Sequence, residues 1–271
     1  MNVCRLFYGA VFRWLLITGV YAQAPATPPP APTALRVIAF AGGWNLPTWV
    51  AQRQGFFEQQ GLAVQLSFTP SSGLLVNGLM SGRFDLGLAS IDNVVAYQEG
   101  QGDGPPLLDP DLAAFMAGDS GFLSLVAAPG VKTMADLRQR QLAVDSLNTG
   151  FSFVLRELLQ KNGIGEGDVT LVRGGATEIR FRDLLANRYE ATLLRTPYEI
   201  LAVERGCNVL ATGESLGPCL GTSGVVRRSW ARDHEVAFIG FIRAYRNAMQ
   251  WLADPANRGV AEALSSPTFA T

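Results

Sequence analysis

Short apolar runs alternate with segments of helical periodicity along the chain from residue 35 onward. This pattern predicts the order strand, helix, strand, helix, strand, because buried strands are short apolar runs and amphipathic helices repeat apolar positions every three to four residues. We expect Gly55 to interrupt the first helix, since glycine weakens a helix interior. The predicted ranges of these five elements are 35–41, 46–60, 64–68, 74–81 and 84–88.

The same order of elements recurs in the second half of the chain. The predicted ranges there are 142–145, 151–159, 169–172, 177–187 and 191–194. The segments around the third strands match at the spacing of 105 residues that separates Arg83 from Arg188, and this spacing also pairs Asp85 with Glu190. We predict two similarly built α/β lobes, although such a run is also ordinary turn chemistry.

The first residues differ in composition from the rest. Arg5 and Arg13 precede an apolar run at 14–21, and small residues follow this run. This pattern predicts a cleavable secretory signal peptide at 1–24 and a periplasmic protein; a short membrane anchor is the alternative. The run is shorter than the roughly 18 residues that a spanning helix needs. The proline-rich stretch 25–33 predicts an extended tether.

Composition excludes several classes of function. The net charge of −1 offers no basic field for nucleic acid, and one histidine with three cysteines leaves little material for a metal site or a histidine-based catalyst. We expect no metal, no cofactor and no catalysis, with His234 facing solvent. Cys207 and Cys219 could form a disulfide after secretion, but we favour free thiols because Cys207 belongs to an apolar, strand-like run.

The loops that follow predicted strands carry the candidate chemistry. In parallel sheets ligands bind outside the carboxyl ends of the strands, so these loops should meet at one crevice. They are rich in Gly, Ser, Asn and Thr, which suit close backbone approach and hydrogen bonding to a ligand, but the same residues also cap helices without any ligand. The six loops are 42–45, 70–73, 90–93, 146–150, 173–176 and 195–198.

At these loops the chain resembles a known family. The segments 43–51, 55–62 and 82–85, together with Ser90, are similar to the soluble substrate-binding proteins of nitrate, sulfonate and taurine-type ABC importers, a group with relatives shaped like the pyrimidine synthase of the thiamine pathway. The resemblance covers about 34–253.

The resemblance implies a two-lobed type II periplasmic binding protein. Each lobe would be a mostly parallel sheet flanked by helices, with the ligand cleft between the lobes and two hinge strands that permit closure. The first lobe would comprise 34–126 plus 213–271, and the second lobe 127–212. Helical sequence normally continues further in this family, so we expect that one or two C-terminal helices are missing.

The implied function is capture of a small solute and its delivery to an ABC permease in the inner membrane. Arg195, expected opposite the helix N-termini near Ser72 and Ser90, favours a small organic anion such as a sulfonate or carboxylate. The protein is expected to be a monomer and not an enzyme. The alternatives are binding of a neutral pyrimidine or thiamine-precursor-like solute, a solute-sensing partner subunit, and an enzyme like the pyrimidine synthase.

Individual site residues follow from the family positions. Trp44 could stack on a planar solute or merely cover the lobe, and Ser72 and Ser90 match positions that hydrogen-bond the ligand. Arg195 departs from the aromatic residue often found in the family at the end of this second-lobe strand. It would offer its fork of donors to an anion, unless it pairs with Asp92 or Glu199. The candidate ligand-binding residues are Gly43, Trp44, Asn45, Ser71, Ser72, Ser90, Asp92, Asn148, Thr149, Gly174, Arg195, Thr196 and Tyr198.

Overall fold

The structure is a computed structural model that describes residues 31–120, 123–217 and 221–265. The predicted signal peptide and residues 25–30 of the predicted tether lie outside the described residues, as do Cys219 and the segment 266–271. Within the described ranges, no helix combines the length and the apolar character needed to cross a membrane.

The strands of the described residues form two sheets. They are β1 (Thr33–Ala39), β2 (Leu62–Phe68), β3 (Leu86–Ser90), β4 (Leu112–Ala117), β5 (Ser124–Ala127), β6 (Gln141–Val144), β7 (Thr170–Arg173), β8 (Ala191–Leu194), β9 (Asn208–Thr212) and β10 (Thr222–Arg227).

Helices connect and cover these strands. They are α1 (Leu46–Arg53), α2 (Ser72–Met80), α3 (Ile91–Gln98), α4 (Gly150–Lys161), α5 (Thr177–Leu185), α6 (Tyr198–Glu204), α7 (Arg228–Asp233), α8 (Glu235–Ala253) and α9 (Arg258–Ser265).

The two sheets share one plan. The first has the strand order β2-β1-β3-β10-β4, and the second has the order β7-β6-β8-β5-β9. In each sheet one strand is antiparallel to both of its neighbours, β10 in the first and β5 in the second, while the other pairings are parallel. The predicted α/β class with two mostly parallel sheets is confirmed. We call the parts built on the first and second sheets the first and second lobe.

The chain passes from one sheet to the other twice, between β4 and β5 and between β9 and β10. The second sheet includes positions 124–126, which the predicted boundary assigns to the first lobe. The reason is backbone hydrogen bonding, since β5 is an inner strand that pairs with β8 on one side and β9 on the other. The sequence pattern did not reveal the reversed strands β5 and β10.

The end of helix α1 and the start of strand β3 can be compared with the sequence prediction. Helix α1 ends at Arg53, Gly55 adopts a left-handed φ of 70°, and a short 3₁₀ turn follows at Glu58–Gln60. The interruption at Gly55 is therefore confirmed. Strand β3 begins at Leu86 rather than at residue 84, because the Phe84 N–H donates to the Gly78 carbonyl at the end of α2 and so belongs to a turn.

The sequence repeat extends to hydrogen bonding. Asp85 donates its N–H to the Arg36 carbonyl (2.8 Å), and its carboxylate accepts from the Arg36 N–H (2.8 Å). Glu190 makes the same two contacts with Gln141, at 2.9 and 3.0 Å. Gln141 lies as far along the chain from Arg36 as Glu190 lies from Asp85. The two lobes therefore repeat one detailed construction.

Helix α8 returns the chain to the first lobe. Its Phe241 is fully buried in one cluster with Leu35 and Val37 of β1, and it stacks on Phe57 with 5.4 Å between ring centroids. The second lobe has its own buried clusters, one of which includes the free thiol of Cys207. Burial raises the pKa of that thiol, which fits a small core residue better than a nucleophile.

Candidate functional site

A cavity lies where the carboxyl ends of the parallel strands of both lobes meet. It holds about 410 Å³ of space not filled by atoms, part of it open to solvent. Both sheets contribute residues to its lining. Every predicted loop except 70–73 either supplies a lining residue or adjoins one in the chain. The lining residues are Phe40, Trp44, Leu88, Ala89, Ser90, Asn93, Asp145, Phe151, Ala176, Thr177, Arg180, Arg195 and Thr222.

Direct contacts hold the two lobes together around this cavity. Each contact joins a loop or the start of α3 in the first lobe to a loop or helix start of the second. The contacts are Gly43 N–H to Thr196 O (3.3 Å), Gly150 N–H to Asp92 Oδ2 (2.8 Å), Ala176 N–H to Pro70 O (3.1 Å) and the ion pair of Arg173 with Asp103 (3.1 Å).

Arg195 follows β8 and is buried, with 7% of its surface exposed. Its guanidinium lies 4.6 Å from the ring centroid of Trp44 and forms an ion pair with Asp119 (2.6 Å). Both terminal nitrogens also lie 3.5 Å from Thr222 Oγ1. The partner is thus Asp119 rather than Asp92 or Glu199. The positive charge that the sequence offered to an anion is already balanced by a carboxylate.

Trp44 is oriented by its own loop. Its indole N–H donates to the Phe40 carbonyl (3.1 Å), and Asn45 Nδ2 donates to the same carbonyl (2.7 Å) and to Gly42 O (3.0 Å). Asn45 is fully buried and therefore holds the loop rather than facing the cavity. Trp44 lines the cavity as a rigid aromatic wall with Arg195 over its ring.

A second buried arginine reaches the cavity from α5. Arg180 has no exposed surface and donates to Thr192 Oγ1 (3.0 Å), Leu193 O (3.0 Å), Thr177 Oγ1 (3.4 Å) and Gly175 O. Burial lowers the pKa of Arg180, while the charge of Asp145 raises it.

Asp145 lies immediately after β6 and lines the same cavity. Its Oδ2 accepts a hydrogen bond from Thr149 Oγ1 (2.9 Å), whereas its Oδ1 is buried without a hydrogen-bond partner. Burial raises the pKa of Asp145; the nearby Arg180 charge, the Thr149 hydrogen bond and the backbone N–H groups of Ser146 and of Asp145 itself lower it. A buried carboxylate with one unsatisfied oxygen is costly, so it requires an explanation.

Asp92 lies outside the cavity lining and joins the lobes instead. Its carboxylate accepts from the Gly150 N–H at the start of α4. Burial, followed by repulsion from Asp145, raises the pKa of Asp92 to about 6, while the hydrogen bond from Gly150 lowers it. Its neighbour Asn93 is 5% exposed, faces the cavity, and has a buried Oδ1 without a partner.

Several predicted ligand residues have partners within the protein. Ser71 caps α2 by accepting from the Leu74 N–H (3.3 Å), and the Ser72 hydroxyl bonds Tyr97 Oη (3.2 Å). Thr196 Oγ1 donates to Glu199 (2.6 Å). For Ser71 the capping interpretation of the sequence is correct. The loop 70–73 contributes to the site through its contact with the second lobe, not through the cavity wall.

Three other predicted residues face away from the cavity or leave no room for a ligand. Asn148 is exposed, and Tyr198 is buried in the second-lobe core against Phe181, with 5.4 Å between ring centroids. A Cβ at Gly174 would lie 2.7 Å from Arg180 Cγ, so this glycine permits close packing. Of the predicted residues, Trp44, Ser90 and Arg195 line the cavity, while Gly43 and Thr196 border a second pocket that shares Trp44 and Arg195 with it.

The sequence matches a family of known proteins. The sequence model of the NMT1/THI5-like family matches residues 45–257, which is most of the chain. The chain belongs to the NMT1/THI5-like family. The predicted resemblance is thereby confirmed at the level of the family. No curated protein matches the sequence.

Solved structures match this NMT1/THI5-like chain in fold. The alkanesulfonate-binding protein SsuA from Xanthomonas axonopodis pv. citri, bound to MOPS, is 19% identical with a TM-score of 0.71, over 88% of this chain and 80% of its own. The periplasmic nitrate-binding protein NrtA from Synechocystis PCC 6803 is 16% identical with a TM-score of 0.77, over 89% of this chain and 68% of its own. The two-lobed periplasmic binding protein fold is therefore confirmed.

Across residues 31–120, 123–217 and 221–265, no three His, Cys, Asp or Glu side chains are grouped to hold a metal ion. His234 is exposed, as expected, and stacks on Trp230 with 4.7 Å between ring centroids. The similar structures named above are binding proteins by their own descriptions.

Sequence reasoning missed the two charged residues Asp145 and Arg180. A signal for Arg180 was available, because it stands three residues after Thr177 and four before Leu184 and so shares the buried face of α5. Asp145 was assigned to the end of a strand, a position where a carboxylate faces the crevice in parallel sheets. Neither residue type belongs to the Gly, Ser, Asn and Thr pattern that marks the candidate loops.

Proposed function

We propose that this chain is the extracytoplasmic solute-binding component of an ABC importer. It captures a small polar solute between its lobes and delivers the solute to a membrane permease. The observation that carries this proposal is the cavity between the lobes, which both sheets line and whose wall includes the buried side chains of Ser90, Arg180 and Arg195. The binding proteins of similar fold support it.

The proposal includes the predicted lobes and their closure. The predicted first lobe is 34–126 plus 213–271, and the predicted second lobe is 127–212. We amend this division by assigning positions 124–126 to the second lobe. The two crossings between the sheets serve as hinges, and opening them separates the contacts that join the lobes. The protein is a monomer in the periplasm, exported by the signal peptide at 1–24, and it has no catalytic role.

The ligand class is part of the same proposal. A sulfonate or carboxylate group of a small organic anion accepts hydrogen bonds from Arg195 Nη1, whose contact with Thr222 is long at 3.5 Å, and from the Ser90 hydroxyl. The ion pair with Asp119 reduces the attraction of Arg195 for a fully charged anion. Asp145 favours a second candidate, a neutral aminated heterocycle such as a pyrimidine, because its free oxygen accepts from an amino group.

Native mass spectrometry of protein purified without dialysis tests solute binding. We expect a small molecule that remains bound under native conditions and is released on denaturation. Ala176→Leu enlarges a side chain of the cavity wall and so fills part of the cavity, which should abolish the retained mass. Ala135→Leu, on an exposed turn, should not. Retention by the Ala176 variant, or conversion of the released solute on incubation with fresh protein, would contradict the proposal.

A further inference from the structure

Two carboxylates, one from each lobe, reach the start of helix α4. Asp92 belongs to the first turn of α3 in the first lobe, and its Oδ2 accepts from the N–H of Gly150, the first residue of α4 (2.8 Å). Asp145 follows β6 in the second lobe, and its Oδ2 accepts from Thr149 Oγ1 immediately before α4 (2.9 Å). The contact between the lobes therefore brings two like charges to one helix end.

Asp92 packs tightly against α4. A Cβ added at Gly150 would lie 2.6 Å from Asp92 Cγ and 3.0 Å from its Oδ2. A carboxylate enclosed in this way loses hydration as an ion, and the nearby charge of Asp145 repels it. Burial first, and then this repulsion, raise the pKa of Asp92 from 3.8 to about 6.

The groups that favour the ionised form of Asp92 do not cancel these effects. The backbone N–H groups of Gly150 and of Asp92 itself lower its pKa, as does the charge of Arg195. Arg195, however, already forms an ion pair with Asp119 (2.6 Å). The positive end of α4 also serves Asp145, so it is shared between two carboxylates.

Asp145 is the member of the pair that keeps its charge. Burial raises its pKa, but the charge of Arg180, the hydroxyl of Thr149 and two backbone N–H groups lower it. Asp92 has no comparable cation of its own lobe acting on it. The pair therefore relieves its repulsion by protonation of Asp92.

Resting on the proposed closure, we propose that bringing the lobes together transfers one proton from solvent to Asp92, so that acid favours the closed arrangement. The proton adds to the carboxylate oxygen other than Oδ2, and Oδ2 continues to accept from Gly150. When the lobes part, Asp145 and Arg195 leave with the second lobe. Asp92 then regains water in the first turn of α3, where the helix N-terminus favours its ionised form.

The pH dependence of closure has a definite sign. Between the ordinary pKa of 3.8 and the raised value of about 6, the closed form binds one more proton than the open form. Closure therefore weakens as the pH rises through this window and is independent of this group at higher pH. The ratio of closed to open protein should be about tenfold higher at pH 5 than at pH 8.

NMR of the Asp92 carboxyl carbon measures the pKa of this group in the full chain. We expect a value near 6 in the wild type and about 4 in Gly150→Leu, whose side chain prevents the contact with Asp92. Gly130→Leu is the matched control, because an added Cβ there meets nothing within 4 Å, and it should keep the wild-type value. Small-angle scattering should give a larger radius of gyration for Gly150→Leu alone.

Asp145→Asn provides a second test that leaves the contact at Gly150 in place. The variant loses the repelling charge, so the pKa of Asp92 should fall toward its ordinary value while the radius of gyration stays that of the wild type. Circular dichroism establishes that each variant folds.

Three results would overturn the inference: an ordinary pKa of Asp92 in the wild type, a raised value that persists in Gly150→Leu, or a value unchanged by Asp145→Asn. Equal radii of gyration for the wild type and Gly150→Leu would refute closure at this contact, and the inference with it. The proposed function is judged separately, by the solute that freshly purified protein retains. Absence of a retained solute would count against that function and leave the titration of Asp92 as measured.

Discussion

Arg195 has its guanidinium fixed by three different contacts. The ring of Trp44 lies under it, the Asp119 carboxylate balances its charge, and Thr222 lies near both terminal nitrogens. From the sequence alone, Arg195 is expected to contact only the ligand. On that expectation the empty Arg195→Ala variant would be as stable as the empty wild type. The structure implies the opposite for stability, because removing the Arg195 side chain breaks a partly buried ion pair and a packed contact with Trp44.

Arg195→Ala should therefore lower the free energy of unfolding of the empty protein by about 3 kcal/mol. The exposed pair of Arg138 with Asp168 supplies the control, and Arg138→Ala should cost less than about 1 kcal/mol because solvent screens that pair. Urea denaturation monitored by circular dichroism measures both values. Equal small losses in the two variants would mean that the buried pair contributes no more than the exposed one.

At the scale of elements, hydrogen bonds in each lobe join the turn before one strand, β3 or β8, to a neighbouring parallel strand, β1 or β6. The acid that precedes β3 or β8 binds the backbone of β1 or β6. The first-lobe version is stronger, because Asp85 is 8% exposed and also pairs with the Arg36 guanidinium at 2.6 Å. In the second lobe Glu190 is 33% exposed, and Arg140 lies 3.8 Å away.

We accordingly expect Asp85→Ala to cost about 2–3 kcal/mol in the free energy of unfolding, and Glu190→Ala about 1 kcal/mol. The larger value arises because the buried Asp85 carboxylate binds both the N–H and the guanidinium of Arg36. Denaturant titration of each variant provides the comparison. A Glu190 variant that loses as much as the Asp85 variant would show that burial does not set the difference.

At the scale of the whole molecule, the proposed closure relies on close contacts between the two lobes. The tightest is at Gly150, where an added Cβ would lie 2.3 Å from Asp92 Cβ and 2.6 Å from its Cγ. Gly150 begins α4 in the second lobe, and Asp92 belongs to α3 in the first. A larger residue there obstructs the contact between lobes without disturbing the core of either.

Gly150→Ala should shift the protein toward an open arrangement, at a cost to closure of about 1–3 kcal/mol. Small-angle scattering of the empty variant should give a larger radius of gyration than the wild type. Gly130→Ala is the matched control, because an added Cβ there meets nothing within 4 Å. Unchanged scattering from the Gly150 variant would place the closing contact elsewhere.

The sequence by itself determined the α/β class, the family, the doubled order of strands and helices, and the interruption at Gly55. These features depend on local periodicity, on glycine chemistry and on segments that are contiguous in the chain. It also placed Trp44, Ser90 and Arg195 at the crevice, because a residue that follows a parallel strand reaches the same sheet edge whatever the details of packing.

Only the tertiary structure decided which loop residues face the cavity and which hold the scaffold. Ser71 caps a helix, Asn45 binds its own loop, and Asp119 pairs with Arg195 across 76 positions of sequence. The unsatisfied oxygen of Asp145 is visible only once its neighbours are in place. The physical reason is that hydrogen bonds and ion pairs depend on distances between remote segments, and those distances are set by how the two sheets pack rather than by spacing along the chain.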